Sequence, residues 1–319
     1  MRAPVKLGLF GLALAALFAA SWGAAAALVP PAAPRGGAVE RETADAHTPH
    51  DDEPAAADAP LDDAISGVSM SSTTMRLADV QAPGAIQEDG TLAFSILDAS
   101  GHPVTEYVES HEKQLHLIVV RSDGSHFRHV HPTLEGGVWS LPWSWEAAGT
   151  YRIYADFTDA ASGRPVTLTT TVDVAGDLAP SHTTGETRTA TVAGYRVAVT
   201  GDLTAGDPRS LTFRVERDGE PVIALEPYLG AFGHLVVLRE GDLAYLHAHP
   251  EGEAPEAGQR SGPEVGFAVT APTAGRYFLY LDFQVDGAVH TAQFALEAAS
   301  GAAGGDASTE SEPPSHSSH

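Results

Sequence analysis

The chain has 319 residues, which is typical of about two domains, and it carries 18 Lys and Arg against 42 Asp and Glu. The resulting formal net charge of −24 argues against a nucleic-acid partner, because neutralising phosphates requires Lys and Arg. Cysteine is absent, which excludes disulfides, thiolate metal sites and a blue-copper centre.

Residues 1–29 are predicted to form a signal peptide or a membrane anchor. Arg2 and Lys6 precede an uncharged run from Leu7 to Val29. This run is long enough for a membrane span, which needs about 20 residues, whereas a cleaved signal usually has an apolar core of roughly 7–15. Small residues at Ala24–Ala26 offer a cleavage point, so both alternatives stay open. Because the positive charges come first, the rest of the chain is expected outside the cytoplasm, either secreted or attached to the membrane by this segment.

Two segments are predicted to be disordered. Residues 30–69 form an acidic spacer rich in Ala and Pro, and residues 299–319 form a polar tail. Between them, short apolar or alternating runs are separated by Gly, Pro, Asp and Ser, and no long amphipathic helix is evident. This spacing predicts short antiparallel strands of a β-sandwich.

An internal repeat divides the strand-rich region. Residues 101–132 match residues 219–250 at a constant offset of 118, and residues 147–157 (AAGTYRIYADF) match residues 273–283 (TAGRYFLYLDF) at an offset of 126. The fold predicted is therefore all-β: two tandem Ig-like antiparallel β-sandwich domains after an N-terminal hydrophobic helix and a disordered spacer. The domains are expected at residues 70–176 and 186–298.

Each copy contains the pattern H-x12-H-x-H-P. Its members are His116, His129 and His131 in the first copy and His234, His247 and His249 in the second. The dipeptides Asp123-Gly124 and Gly241-Asp242 favour two-residue hairpin loops, so the numbers of paired residues should sum to 247 in the first copy and 483 in the second.

With that register, the three imidazoles of each copy share one face of a hairpin, because side chains alternate along a strand. Directly opposed Cβ atoms lie about 5 Å apart and diagonal ones about 7–8 Å, which lets three imidazoles bind one ion. The hypothesis is one metal site in each domain. The alternative is that these histidines are neutral core residues, since the histidine face of each hairpin also carries three apolar side chains. These are Ile118, Val120 and Phe127 in the first copy and Val236, Leu238 and Tyr245 in the second.

Asp156 and Asp282 occupy equivalent positions in the sequences YADF and YLDF. Each is a candidate fourth ligand or a carboxylate that orients an imidazole, and the alternative is a structural carboxylate near a strand end. Imidazole with an optional carboxylate suits Cu(II) and Zn(II), so copper or zinc is the expected cofactor.

The repeated segments HL(I/V)V(V/L)R…H-x-HP and AGxYRxYxDF, the latter with Phe278 in place of Arg in the second copy, resemble those of duplicated secreted proteins of high-GC bacteria. Those proteins are related to YtkA-like and CopC-like domains and are often described as heavy-metal-binding. The resemblance covers about residues 70–298 and implies an Ig-like sandwich in a metal-homeostasis setting. The chain departs from the CopC-like pattern, which binds Cu(II) through an N-terminal His, because a long segment precedes the first domain here.

Three functions follow as hypotheses. The first is extracytoplasmic binding of copper or zinc for homeostasis or delivery, with a metal ion and a membrane-associated protein as partners. The second is a non-catalytic Ig-like structural or interaction module on a membrane stalk. The third, less favoured, is a cupin-like metalloenzyme, since Glu135 and Glu253 complete H-x-H-x3-E in both copies. The second half of a cupin motif is not evident, so no enzyme activity is expected.

Overall fold

The computed structural model describes residues 67–181, 184–256 and 258–301. The predicted signal or anchor, the acidic spacer up to residue 66 and the tail after residue 301 lie outside these ranges. Within them, no helix is long and apolar enough to cross a membrane. The described residues form β-strands without helices, which confirms the all-β prediction.

The first domain is an Ig-like sandwich of two antiparallel sheets. Its strands are β1 (Met75–Gln81), β2 (Gly90–Asp98), β3 (Tyr107–Val108), β4 (His116–Arg121), β5 (Arg128–Val130), β6 (Thr133–Glu135), β7 (Val138–Trp143), β8 (Gly149–Asp159) and β9 (Pro165–Val174). One sheet has the order β1-β2-β7-β6. The other has the order β3-β8-β4-β5, with β9 also paired to β8.

The second domain repeats this arrangement. Its strands are β10 (Thr189–Val192), β11 (Tyr195–Thr200), β12 (Leu203–Thr204), β13 (Pro208–Arg217), β14 (Glu220–Pro221), β15 (His234–Arg239), β16 (Tyr245–Pro250), β17 (Glu264–Thr270), β18 (Gly275–Val285) and β19 (Ala288–Ala299). Here β16 pairs with both β15 and β17, so the two layers join into one sheet. In the first domain the equivalent stretch is split into β5 and β6 on either side of Pro132.

The predicted hairpin registers are confirmed. Ile118 pairs with His129 between β4 and β5, and Val236 pairs with His247 between β15 and β16. These pairs give the sums of 247 and 483 that the loop positions require.

Strand β4 is buried on both faces. Leu117 and Val119 point into the core of the first domain, whereas Ile118 and Val120 point the other way. The second face does not meet solvent, because it packs against the corresponding face of the second domain. The apolar side chains of this boundary are Ile118, Val120, Phe127, Tyr154, Val236, Leu238, Leu243, Tyr245, Phe278, Tyr280 and Ala295. All six apolar residues predicted to share the histidine face belong to this cluster.

The boundary is nearly symmetric, as expected for two copies of one domain. Phe127 stacks on Tyr280 with ring centres 3.9 Å apart, whereas the equivalent pair, Tyr245 and Tyr154, is tilted by 42° with ring centres 5.8 Å apart. The Tyr154 hydroxyl donates to the Leu243 carbonyl oxygen at 2.5 Å. In the same way the Tyr280 hydroxyl donates to the Gly124 carbonyl oxygen at 2.6 Å.

The first prediction concerns this boundary. Tyr154→Phe removes the buried donor to the Leu243 carbonyl oxygen and should lower the free energy of unfolding by about 1–3 kcal/mol, measured by urea denaturation. Tyr228→Phe is the matched control, because Tyr228 is half-buried and its hydroxyl has no hydrogen bond to a described residue. Equal losses in the two variants would contradict a specific role for the Tyr154 bond.

A histidine cluster at the domain boundary

Three histidines of the first domain converge at one end of the boundary. His116 begins β4, His129 lies in β5, and His131 follows β5 directly. The Nδ1 of His116 lies 3.0 Å from the Nε2 of His129 and 3.3 Å from the Nε2 of His131. One ligand atom from each of the three rings lies within 4.8 Å of the others. We call these three residues the triad.

Two triad rings are oriented by acceptors on their far sides. The Nε2 of His116 donates to the Ser110 carbonyl oxygen at 3.1 Å. The Nδ1 of His129 donates across the domain boundary to the Asp282 carboxylate at 2.8 Å, and these two side chains are 1% and 3% exposed. The other oxygen of Asp282 accepts from the Thr291 hydroxyl at 2.5 Å, which fixes the carboxylate in turn.

These acceptors determine where the protons sit. A neutral imidazole carries a hydrogen on only one of its two nitrogens, and a carbonyl or carboxylate oxygen can only accept a hydrogen bond. The outward nitrogens of His116 and His129 therefore hold the hydrogens, and their inward nitrogens present lone pairs. Two lone pairs only 3.0 Å apart repel each other unless a positive species lies between them.

The protein environment keeps the triad available as lone-pair donors. Burial, together with the neighbouring His129, lowers the pKa of His116 to about 4. Burial and the neighbouring histidines likewise lower the pKa of His131 to about 3. Both rings are therefore neutral near pH 7, which is the form that binds metal ions.

The second domain does not form a separate triad from its described side chains. His234 stacks on His116 with ring centres 5.5 Å apart and lies 4.8 Å from His129, so it joins the cluster of the first domain. His249 is exposed, and for His247 the structure gives only the position in β16. The expectation of a second site, built from His234, His247 and His249, stays a prediction, because the His247 side chain lies outside what the structure describes. The sequence showed a shared face in each copy but not that the two faces cover each other.

The two aspartates have different partners. Each is the cross-strand partner of the first histidine in its copy: Asp156 pairs with His116 and Asp282 with His234. Asp282 orients His129, as described above. Asp156 accepts from the Thr167 hydroxyl at 2.6 Å, and its charge and a hydrogen bond add to burial in raising the pKa of Tyr245.

The carboxylates suggested by the cupin-like motif lie apart from the triad. Glu135 and Glu253 are exposed, and neither belongs to the group of convergent ligand atoms that the described residues form.

Sequence comparison between the copies missed His111. Its ring centre lies 6.1 Å from that of His116 and 5.6 Å from that of His234. The second copy has Leu229 at the equivalent position, so a search for repeated histidines passes over it. A histidine a few residues before β4 was the only available signal.

The fold and the cluster define a protein of two tandem Ig-like sandwiches that bury a set of histidines between them. Residues 69–176 and 190–300 each match the family described as Domain of unknown function (DUF8832). The chain belongs to this family, and it carries the domain twice. The predicted resemblance to YtkA-like and CopC-like domains stays a prediction. No curated protein matches the chain significantly.

Solved structures with similar domains include three bacterial proteins. Invasin, a bacterial integrin-binding protein, aligns with a TM-score of 0.21 and 14% identity over 70% of this chain and 38% of its own. Trypsin-activated alpha-2-macroglobulin from Escherichia coli aligns with a TM-score of 0.25 and 16% identity over 75% of this chain and 16% of its own. The fibronectin(III)-like modules of Clostridium thermocellum CbhA align with a TM-score of 0.19 and 11% identity over 70% of this chain and 94% of their own. This chain thus spans well under half of the first two proteins. At such scores these likenesses define neither an activity nor a partner for it.

Proposed function

We propose that the chain binds one divalent metal ion, Cu(II) or Zn(II), at the triad, and that it does so outside the cytoplasm in metal homeostasis or delivery. One observation carries the proposal. Three ring nitrogens converge, and the outward nitrogens of two of these rings are already committed to acceptors.

A shared proton accounts for this arrangement less well than a metal ion. A proton placed between His116 and His129 relieves the contact of their two lone pairs. It bridges only two nitrogens, however, and the Nε2 of His131, at 3.3 Å from the same His116 nitrogen, takes part only if His131 carries its own hydrogen there. A metal ion uses all three nitrogens at once.

The distances also suit a metal ion. Nitrogens bound at 2.0–2.1 Å to a tetrahedral ion lie about 3.3 Å from one another. The separations of 3.0 and 3.3 Å from His116 require little movement to reach this value. Metal-binding histidines commonly donate their second N–H to a carbonyl or carboxylate, as His116 and His129 do here.

The ligand set favours copper or zinc over harder cations. Neutral imidazoles suit Cu(II), Zn(II) and Ni(II), whereas calcium and magnesium prefer oxygen ligands. Copper binds more tightly than zinc to a given set of nitrogen ligands, so Cu(II) is expected to compete best in solution. Three protein ligands leave a coordination position for water or for a group of a delivery partner.

The domain boundary itself favours a second candidate, a structural or interaction module. On this hypothesis the hydrogen bonds from His129 to His116 and to Asp282 serve only to hold the two domains together. The apolar cluster beside it supports such packing. This hypothesis predicts no tight metal binding and gives the histidines a role in stability alone.

Stoichiometry separates the two candidates. The full chain, dialysed against limiting Cu(II) and analysed for bound metal, should retain about one tightly bound equivalent at the triad, on the basis of one three-nitrogen site. His131→Ala should lose this equivalent because only two convergent ligands remain. His249→Ala is the matched control, since it alters the equivalent residue of the second copy, which is exposed. Retention of the tight equivalent by His131→Ala would reject the triad as the site.

The Asp282 carboxylate provides a separate prediction. Asp282→Asn keeps the shape of the side chain but weakens its hold on the His129 N–H, so the affinity for Cu(II) should fall by roughly 10–100-fold in competition with a chelator of known affinity. Asp156→Asn changes the equivalent residue of the first domain, which bonds to Thr167 and Tyr245 and acts on His116 through its charge, and it should have a smaller effect. Equal losses of Cu(II) affinity in the two variants would mean that Asp282 acts through its negative charge rather than by orienting His129.

A further inference from the structure

The turn before β4 places a further histidine beside the triad. Ser110 and Lys113 exchange backbone hydrogen bonds, so His111 and Glu112 form a two-residue turn. Their φ angles are 49° and 62°, in the left-handed region that favours Gly and in which Asn, Asp and His are enriched among the other residues. The Ser110 carbonyl oxygen of this turn is also the acceptor for His116, which ties the turn to the triad.

The second domain has the same turn with different chemistry. Tyr228 and Ala231 flank it, and its central residues Leu229 and Gly230 have φ angles of 55° and 77°. Leu229 is 2% exposed and contributes to apolar packing, whereas His111 is exposed. The first domain therefore carries an exposed imidazole where its copy has a buried apolar side chain.

His111 faces a histidine of the other domain. Its ring centre lies 5.6 Å from that of His234. Two imidazoles that share an ion at 2.0–2.1 Å have ring centres about 5–6 Å apart. The ring of His234 is half-buried and has no hydrogen bond to a described side chain or backbone group.

His234 also adjoins the triad. Its ring centre lies 4.8 Å from that of His129 and 5.5 Å from that of His116. His234 therefore adjoins both the exposed His111 and two rings of the triad, and His111 itself lies 6.1 Å from His116. Three exposed carboxylates lie in the turn or shortly before it, against one exposed cation, Lys113, so the local charge favours the approach of cations: Glu106, Glu109 and Glu112.

We propose that His111 and His234, one from each domain, form a capture position that first holds the incoming metal ion before it moves to the triad. This inference rests on the proposed function of the triad and adds a route to it. The capture position uses two ligands and is open to solvent, so it binds the ion weakly and releases it inward. The triad, with three ligands and oriented rings, retains the ion.

Rapid mixing of the metal-free full chain with Cu(II), followed by quenching of tryptophan fluorescence, tests the route. His111→Ala should lower the rate of binding about tenfold, because the local concentration of captured ion is lost, while the equilibrium occupancy stays at one ion. His102→Ala, an exposed histidine in the same domain, is the matched control and should bind at the wild-type rate. His234→Gln, which removes the other capture ligand, should also slow binding.

Three outcomes would overturn the inference. An unchanged rate in His111→Ala would mean that the ion reaches the triad by another path. Loss of equilibrium binding in His111→Ala, as expected for His131→Ala, would make His111 a ligand of the triad ion. A wild-type chain that retains no Cu(II) would reject the proposed function itself, and that measurement is made before the rates are compared.

Discussion

A hydrogen bond across the domain boundary, from the Nδ1 of His129 to the Asp282 carboxylate, determines the chemistry of the histidine cluster. It fixes the tautomer of His129 and so directs a lone pair toward His116, whose own outward nitrogen is held by Ser110. Because the donor and acceptor belong to different domains, the triad is properly oriented only when the two sandwiches are packed together. In the proposed function, binding of an ion and packing of the two domains would therefore stabilise each other.

Duplication explains the boundary, and divergence explains why its two halves differ. Paired tyrosines, Tyr154 and Tyr280, make equivalent bonds to the opposite hairpin. The first copy has Phe127 where the second has Tyr245, and only Tyr245 carries a hydroxyl that reaches Asp156. Asp282 meets no such hydroxyl in its counterpart and instead receives the His129 N–H. The difference between Phe127 and Tyr245 thus gives the equivalent carboxylates of Asp282 and Asp156 different hydrogen-bond partners.

Much of this arrangement could be predicted from sequence. The loop dipeptides predicted both hairpin registers, and alternation predicted which apolar residues share a face with the histidines. The residue spacing could not predict that the histidine face of one domain packs against that of the other. Strand-pairing rules describe neighbours within a sheet and not packing between domains. One signal was available: the uninterrupted run HLIVV in β4 is typical of a strand that is buried on both faces. The role of His234 beside the first copy, and of His111 without a repeated partner, required the three-dimensional structure.

The most direct test of the metal site is a crystal structure of the full chain equilibrated with Cu(II), with anomalous diffraction recorded at the copper absorption edge. The account predicts one strong anomalous peak about 2.0–2.1 Å from the Nδ1 of His116 and the Nε2 atoms of His129 and His131. An empty triad in a crystal that binds copper at other histidines would contradict it, and the cluster would then be a hydrogen-bonded contact that holds the two domains together.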